Sequence, residues 1–265
     1  MLNLITVVGR NTHILPHMLK HYQDKVDNIC VVVYRQDSND GILEEVEELG
    51  IKPFWVVTDT KYHWERVTEI YNTARQYRPN DWWIISDDDE LQSYPTDIEY
   101  IIKQCEKGGY SFVSGGFIDR IGKDGTFPKV DRDTNIYEAF PNGGFFRYPM
   151  SGACPNKVTL AKGTQKITPG QSHPKRMPVD ECFVQVHHFK WDSSCIQRIK
   201  EVAETKHKYS FHKEYQKMYD AIKESNWKID IKKSEYLVEK LKDFTYINYN
   251  DYSNWNKLKN LIIKI

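Results

Sequence analysis

Apolar residues in the first 90 positions fall into short continuous runs separated by helical patterns. Leu4–Val8 stops at Gly9, Ile29–Tyr34 is unbroken, and Phe54–Val57 and Trp82–Ile85 follow. Runs of this kind, without alternation, fit strands buried on both faces. Between them, Ile14–Tyr22 sets Leu15, Met18, Leu19 and Tyr22 on one side of a helix. Ile42–Leu49 is a second helix, entered through the turn Ser38-Asn39-Asp40-Gly41 and closed by Gly50. His63–Tyr77 is a third, which must end near Pro79. Four strands alternating with three helices predict a parallel, doubly wound sheet. Such sheets bind ligands beyond the carboxyl ends of their strands. The four ends carry Arg10-Asn11, Arg35-Gln36-Asp37, Thr58-Asp59 and Asp87-Asp88-Asp89-Glu90.

Further on, Pro95–Glu106 reads as a helix and Tyr110–Ile118 as a strand. Residues 121–180 are rich in Gly, Pro and charge, with short apolar runs such as Val158–Ala161, and predict an irregular lobe of long loops. Phe183–Trp191 is the last predicted strand. Residues 192–265 are mostly helical in pattern, with 15 Lys plus Arg against 11 Asp plus Glu, and close on the apolar run Leu258–Ile265. They predict a helical appendage packed on the catalytic domain or a partner, with membrane-surface contact as the second option.

Composition narrows the class. The chain has 265 residues, 40% hydrophobic and 28% charged, enough apolar material for a sizeable core. Lys plus Arg and Asp plus Glu both number 37, which removes the global electrostatic case for nucleic acid. No stretch approaches the roughly 18 apolar residues of a membrane span, and Met1–Arg10 lacks the basic start of a signal peptide. Cys30, Cys105, Cys154, Cys182 and Cys195 are scattered, with no CxxC pair. A disulfide framework or thiolate zinc site is not expected, and a reducing, cytoplasmic setting is. Walker A, GxSxG, HExxH and GxGxxG elements are all absent.

The acidic cluster is the sharpest chemical signal. Four adjacent carboxylates repel one another unless something positive sits among them. On an extended backbone Asp87 and Asp89 point the same way and can converge on one hard cation. On the strand Val184–Trp191, alternation separates His187 from His188, so one is a ligand and the other is packed; Lys190 shares the face of His188 and suits an anionic ligand. Arg66, early in its helix, is placed to reach a base or diphosphate, and Asn72 to do so or to brace backbone. Asp119 and Arg120 end the strand after the acidic cluster.

The ordered set Gly9-Arg10-Asn11, Asp37 to Gly41, Arg66 with Asn72, and Trp83 to Glu90 resembles the nucleotide-binding half of family-2-like glycosyltransferases of the GT-A fold. Asp119 to Thr126, Asn156-Lys157-Val158 and His187-His188-Phe189-Lys190-Trp191 are similar to a subgroup found in bacteria and large DNA viruses. The resemblance covers about residues 3–195. It implies a Rossmann-like α/β fold with a mixed, mainly parallel sheet flanked by helices, and a helical C-terminal extension. Its expected units are a catalytic domain, 1–195, divided into a nucleotide-binding half, 1–92, and an acceptor- and metal-completing half, 93–195, then an extension, 196–265. The DxD pair Asp87 and Asp89 would hold Mn²⁺ or Mg²⁺ against the donor diphosphate, and His188 would complete the metal site. The acid that many such enzymes carry directly after the second strand is here Asp37, behind Arg35-Gln36.

The expected activity is sugar transfer from a nucleoside-diphosphate sugar to an acceptor hydroxyl, on a glycan or polysaccharide. Substrate contacts would come from Arg10, Asn11, Asp37, Arg66, Asp87 and Lys190. Asp119 is the candidate general base for an inverting reaction, with Asp180 and Glu181 behind it. A metal-dependent nucleotidyltransferase and a non-catalytic nucleotide-sugar-binding module are the other two classes that the residues leave open.

Overall fold

The computed structural model describes residues 1–146, 150, 156–169, 184–230 and 236–240. β1 (Leu2–Val8), β2 (Asn28–Arg35), β3 (Trp55–Thr58) and β4 (Trp82–Ile85) form a parallel sheet in the order β3-β2-β1-β4. α1 (Leu15–Tyr22) and α2 (Ile42–Glu48) cover one face, and α3 (Trp64–Arg75) covers the other. The pleat divides β1 between them: Leu4 and Val8 pack with Leu15, Met18 and Val46, while Ile5 and Val7 pack with Ile70, Tyr71 and Ala74. These elements match the sequence pattern, with ends moved by one or two residues.

β5 (Glu90–Ser93) follows β4 after a tight turn. α4 (Ile98–Lys107) starts at Asp97, whose carboxylate accepts the Tyr100 N–H at 3.0 Å. β6 (Phe112–Ile121) is buried along its whole length. After α5 (Ile136–Ala139) come β7 (Asn142–Phe146) and β8 (Asn156–Lys162), both antiparallel along one edge of β6. The other edge takes β9 (Val184–His188) in parallel, and β9 carries β5 antiparallel. β8 also pairs with β4 and so joins the two halves. The result is a mixed sheet flanked by helices, the Rossmann-like GT-A arrangement expected. It is parallel from β3 to β4 and mostly antiparallel beyond. The described part of the segment read as an irregular lobe is more regular than its composition implies, because Val158–Ala161 belongs to a strand with neighbours on both sides.

α3 is tied to the turn after β8 by Arg75, which is fully buried. Its guanidinium donates to the carbonyls of Tyr71, Lys162 and Gln165 and to Asn72 Oδ1, at 2.7–3.2 Å. Asn72 exchanges two hydrogen bonds with the Ile167 backbone and is therefore a brace.

α6 (Cys195–Glu204) and α7 (His212–Glu224) form the helical extension. Their apolar sides share a core with Ile121, Phe146 and Trp191, so the helices are seated on the end of β6. One part of the extension departs from the helical expectation: β10 (Tyr236–Lys240) pairs antiparallel with β7 and adds a strand to the sheet. Leu258–Ile265 lies outside the described residues. Among those described, no helix is long and apolar enough to cross a membrane.

Candidate active site

A cavity of about 540 Å³ opens beyond the carboxyl ends of β1 and β4. The acidic residues form its floor, the ends of β1 and β9 form two walls, and α6 with α7 forms a third. Gly9 lets Tyr62 and the β2 backbone pack closely on the end of β1: a Cβ there would lie 2.6 Å from the Tyr34 carbonyl oxygen and 2.8 Å from the Tyr62 ring.

The acidic residues do not lie on an extended backbone. Asp87 to Glu90 is a turn closed by the Glu90 N–H donating to the Asp87 carbonyl at 3.1 Å. The alternation argument for Asp87 and Asp89 therefore fails; the turn, and not the pleat, sets where they point. Asp87 accepts from the Tyr71 hydroxyl at 2.8 Å and from Lys157 Nζ at 2.9 Å. Lys157, on β8, also donates to Glu90, which is fully buried. Burial disfavours its ammonium, but Asp87 and Glu90 outweigh that and hold it charged. Asp88 is driven well above the usual carboxylate range by burial and by the charges of Asp89 and Asp87.

His188 faces the turn. Its Nε2 is 3.4 Å from Asp89 and its Nδ1 is 2.7 Å from Asp119. Asp119 is 1% exposed and also accepts from Trp191 Nε1 at 3.3 Å and the Phe146 N–H at 3.2 Å. An ionised carboxylate only accepts, so Nδ1 carries a proton and Nε2 is turned towards Asp89. Burial opposes the imidazolium, yet Asp89 and Asp119 push His188 up to about 10. In turn His188 outweighs the burial of Asp89 and holds that carboxyl well below its ordinary range. His187 points to the opposite side of β9, where burial brings it down to about 3, and its ring packs edge-on against Tyr137.

The opposite wall is basic and aromatic. The Arg10 guanidinium lies 5.2 Å from the Tyr62 ring, 5.5 Å from Phe211 and 5.7 Å from Tyr215. Lys190 Nζ sits 4.6 Å from the Tyr215 ring. Arg198, by contrast, is bound by Asp192 at 2.8 Å and by the Lys190 carbonyl at 2.7 Å.

No family model and no curated protein matches this chain. Among solved structures it is similar to a Bacillus anthracis protein assigned as a glucose-1-phosphate thymidylyltransferase, at 10% identity and a TM-score of 0.31 over 100% of this chain and 96% of that one. It is similar to S. aureus TarS at 11% identity and a TM-score of 0.32, over 76% of this chain and 38% of that one. It is similar to mannose-6-phosphate isomerase from Helicobacter pylori at 19% identity and a TM-score of 0.29, over 47% and 53%. The chain thus spans about half or less of the latter two. At these scores the likeness assigns neither a family nor a reaction.

The cavity gathers Arg10, Asn11, Asp87, Asp89, His188 and Lys190 from the residues expected to form a site. Two others lie elsewhere. Arg66 does not line the cavity: on the exposed side of α3 it forms surface ion pairs with Asp59, directly after β3, at 3.3 Å and with Glu69 at 3.0 Å. Asp37 is exposed and accepts the Asn39 N–H at 3.0 Å, which shapes the loop after β2. Asp119 is adjacent to the site but sealed beneath His188. Asp180 and Glu181 lie outside the described residues. Sequence reasoning missed Lys157 and the aromatic wall. Lys157 stood inside a recognised triplet with no role attached, and Tyr62, Phe211 and Tyr215 gave no signal.

Proposed function

We propose that this chain is a metal-dependent glycosyltransferase, moving a sugar from a nucleoside-diphosphate donor to a hydroxyl of a glycan acceptor. The observation that carries this reading is the pairing of Asp89 with His188 Nε2, with His188 locked from behind by buried Asp119. A histidine fixed through its other nitrogen by a carboxylate is the usual support of a metal-ligating imidazole.

Among the described residues, no group of three or more His, Cys, Asp or Glu side chains is arranged to hold a metal ion. The carboxylates of the turn suit Mn²⁺ or Mg²⁺, and the oriented imidazole favours Mn²⁺ over Mg²⁺, which takes oxygen ligands. Asp89 and His188 are the residues that would hold it, since Asp87 is engaged by Tyr71 and Lys157. When bound, the cation would offset the charge that grows on the leaving diphosphate. The chain's own residues do the rest. Arg10 and Lys190 supply positive charge from the facing wall, and Lys157 keeps the acidic turn closed. Asp119 orients His188; a carboxylate sealed under three donors is a poor proton acceptor, so the base role passes from it and is left unassigned.

Thermal shift tests the binding half of this reading. Mn²⁺ with a matching nucleoside diphosphate is expected to raise the melting temperature more than the two separate effects combined. Asp89→Asn should remove that excess and leave the unliganded melting temperature near the wild-type value. A nucleoside diphosphate that binds equally well in excess chelator would sink the metal-dependent reading.

A further inference from the structure

Two loops at the mouth of the cavity carry positive charge that the site described above does not use. Residues 60–64, leading into α3, contain Lys61 and His63. Residues 205–213, from the end of α6 into the first turn of α7, contain Lys206, His207, Lys208, His212 and Lys213. Neither segment contains a carboxylate. The two are fastened side by side: the Tyr62 N–H donates to the Lys208 carbonyl at 2.7 Å, and Tyr62 and Tyr209 form a parallel bridge.

Lys206 and Lys213 are exposed, Lys61 and Lys208 are half-buried, and none of the four is in an ion pair among the described residues. The acids next to them in sequence are mostly engaged elsewhere. Asp59 is held by Arg66 at 3.3 Å, Glu201 accepts from the Tyr209 hydroxyl at 3.4 Å, and Glu214 lines the cavity. Glu65 and Glu204 remain at the edges, against four lysines. On a chain with no net charge this is a local excess. The rings of the same segments face inwards: Tyr62, Trp64 and Phe211 line the cavity, so lysines on the rim alternate with rings on the wall.

We propose that these two loops form a docking rim for an anionic glycan, whose sugars carry carboxylates or phosphates along the chain. That this glycan is the acceptor rests on the function proposed above. Lysines suit such a ligand, because point charges on flexible stems accept repeated anions without a fixed geometry. The rim adjoins the cavity, so a chain held there can pass its end sugar over Trp64, which is 44% exposed. A bilayer needs apolar side chains projecting beside the lysines, and the rings here line the cavity or, as with Tyr209, are buried. A nucleic acid needs a longer basic track, which the even charge balance of the chain does not supply.

The test is fluorescence anisotropy of labelled oligosaccharides with the full chain, in excess EDTA and without donor. Alginate oligomers supply carboxylates, phosphorylated dextran oligomers supply phosphates, and plain dextran is the neutral reference. Wild type should bind one or both anionic oligomers about tenfold or more tightly than dextran, and added salt should shrink the difference. The triple variant Lys206→Gln, Lys208→Gln, Lys213→Gln should lose about tenfold or more, the combined worth of three surface charges. The double variant Lys61→Gln, Lys213→Gln decides if the triple one fails to fold. Lys103→Ala, an exposed charge on α4, is the control and should change nothing.

Equal affinity for dextran and both anionic oligomers, or anionic binding that the lysine variants leave unchanged, would overturn the proposal. So would anionic vesicles or a single-stranded oligonucleotide held through the same lysines more tightly than either glycan. The two readings fail separately. Lysine-dependent glycan binding with no nucleoside diphosphate released from any donor keeps the rim and removes the glycosyltransferase. Transfer to neutral glycans, at a rate that the triple variant does not alter, does the reverse.

Discussion

Asp119→Ala is expected to lower the folding free energy by about 3–5 kcal/mol, as is typical when one member of a buried, hydrogen-bonded ion pair is removed. The side chain is 1% exposed and receives three donors, from His188, Trp191 and the Phe146 backbone. Alanine would leave an indole N–H, an amide N–H and an imidazole N–H buried without acceptors. Asp119→Asn keeps one acceptor oxygen but turns an NH₂ towards donors, so an intermediate loss is expected. Both variants should also weaken Mn²⁺ binding, by about 10–100-fold if the carboxylate orients a metal-ligating histidine. Urea unfolding and metal titration read the two effects separately. An Asp119→Asn chain with wild-type stability and wild-type Mn²⁺ affinity but no turnover would return Asp119 to the role of general base.

Lys157→Met should have a comparable effect on stability, again about 3–5 kcal/mol. Lys157 is 7% exposed, and its ammonium is wedged between Asp87 and fully buried Glu90, with the Phe117 ring 5.2 Å away. Methionine fills much of the volume and supplies no charge, so two carboxylates would face each other with nothing between them. The loss should shrink when Glu90→Gln is added, because the neutral amide no longer needs the ammonium. A double-mutant cycle should return a coupling of about 1 kcal/mol or more for groups in direct contact. Additive losses would mean that Lys157 stabilises the protein through packing alone.

The parallel half of the fold was legible because its strands are continuous apolar runs. Ile29–Tyr34 needs no partner to be recognised as buried on both faces, and turn chemistry at Gly41 and Gly50 marks the ends of α2. β7 was not legible: Asn142-Gly143-Gly144 has no strand propensity, and its pairing with Asp119–Ile121 comes from tertiary contact. Glu90 shows the same limit at the site. In the sequence it is the last of four adjacent carboxylates, but it opens β5 and is neutralised by a lysine 67 residues away. Arg66 and Lys157 bring the point down to single side chains. One stands early in its helix and pairs on the surface with Asp59 and Glu69; the other precedes a weak apolar run and lines the cavity, because β8 is inserted between β4 and β6. Periodicity assigns a residue to a face of its own element, and it carries no information about which distant element packs on that face.

The reaction itself is tested most directly by release of nucleoside diphosphate from a panel of nucleotide sugars in the presence of Mn²⁺. Wild-type chain should release nucleoside diphosphate from at least one donor, faster with acceptor glycans present, and Asp89→Asn should release none. Release of pyrophosphate from a nucleoside triphosphate and a sugar phosphate, with no nucleoside diphosphate from any sugar donor, would contradict glycosyl transfer and make the chain a nucleotidyltransferase.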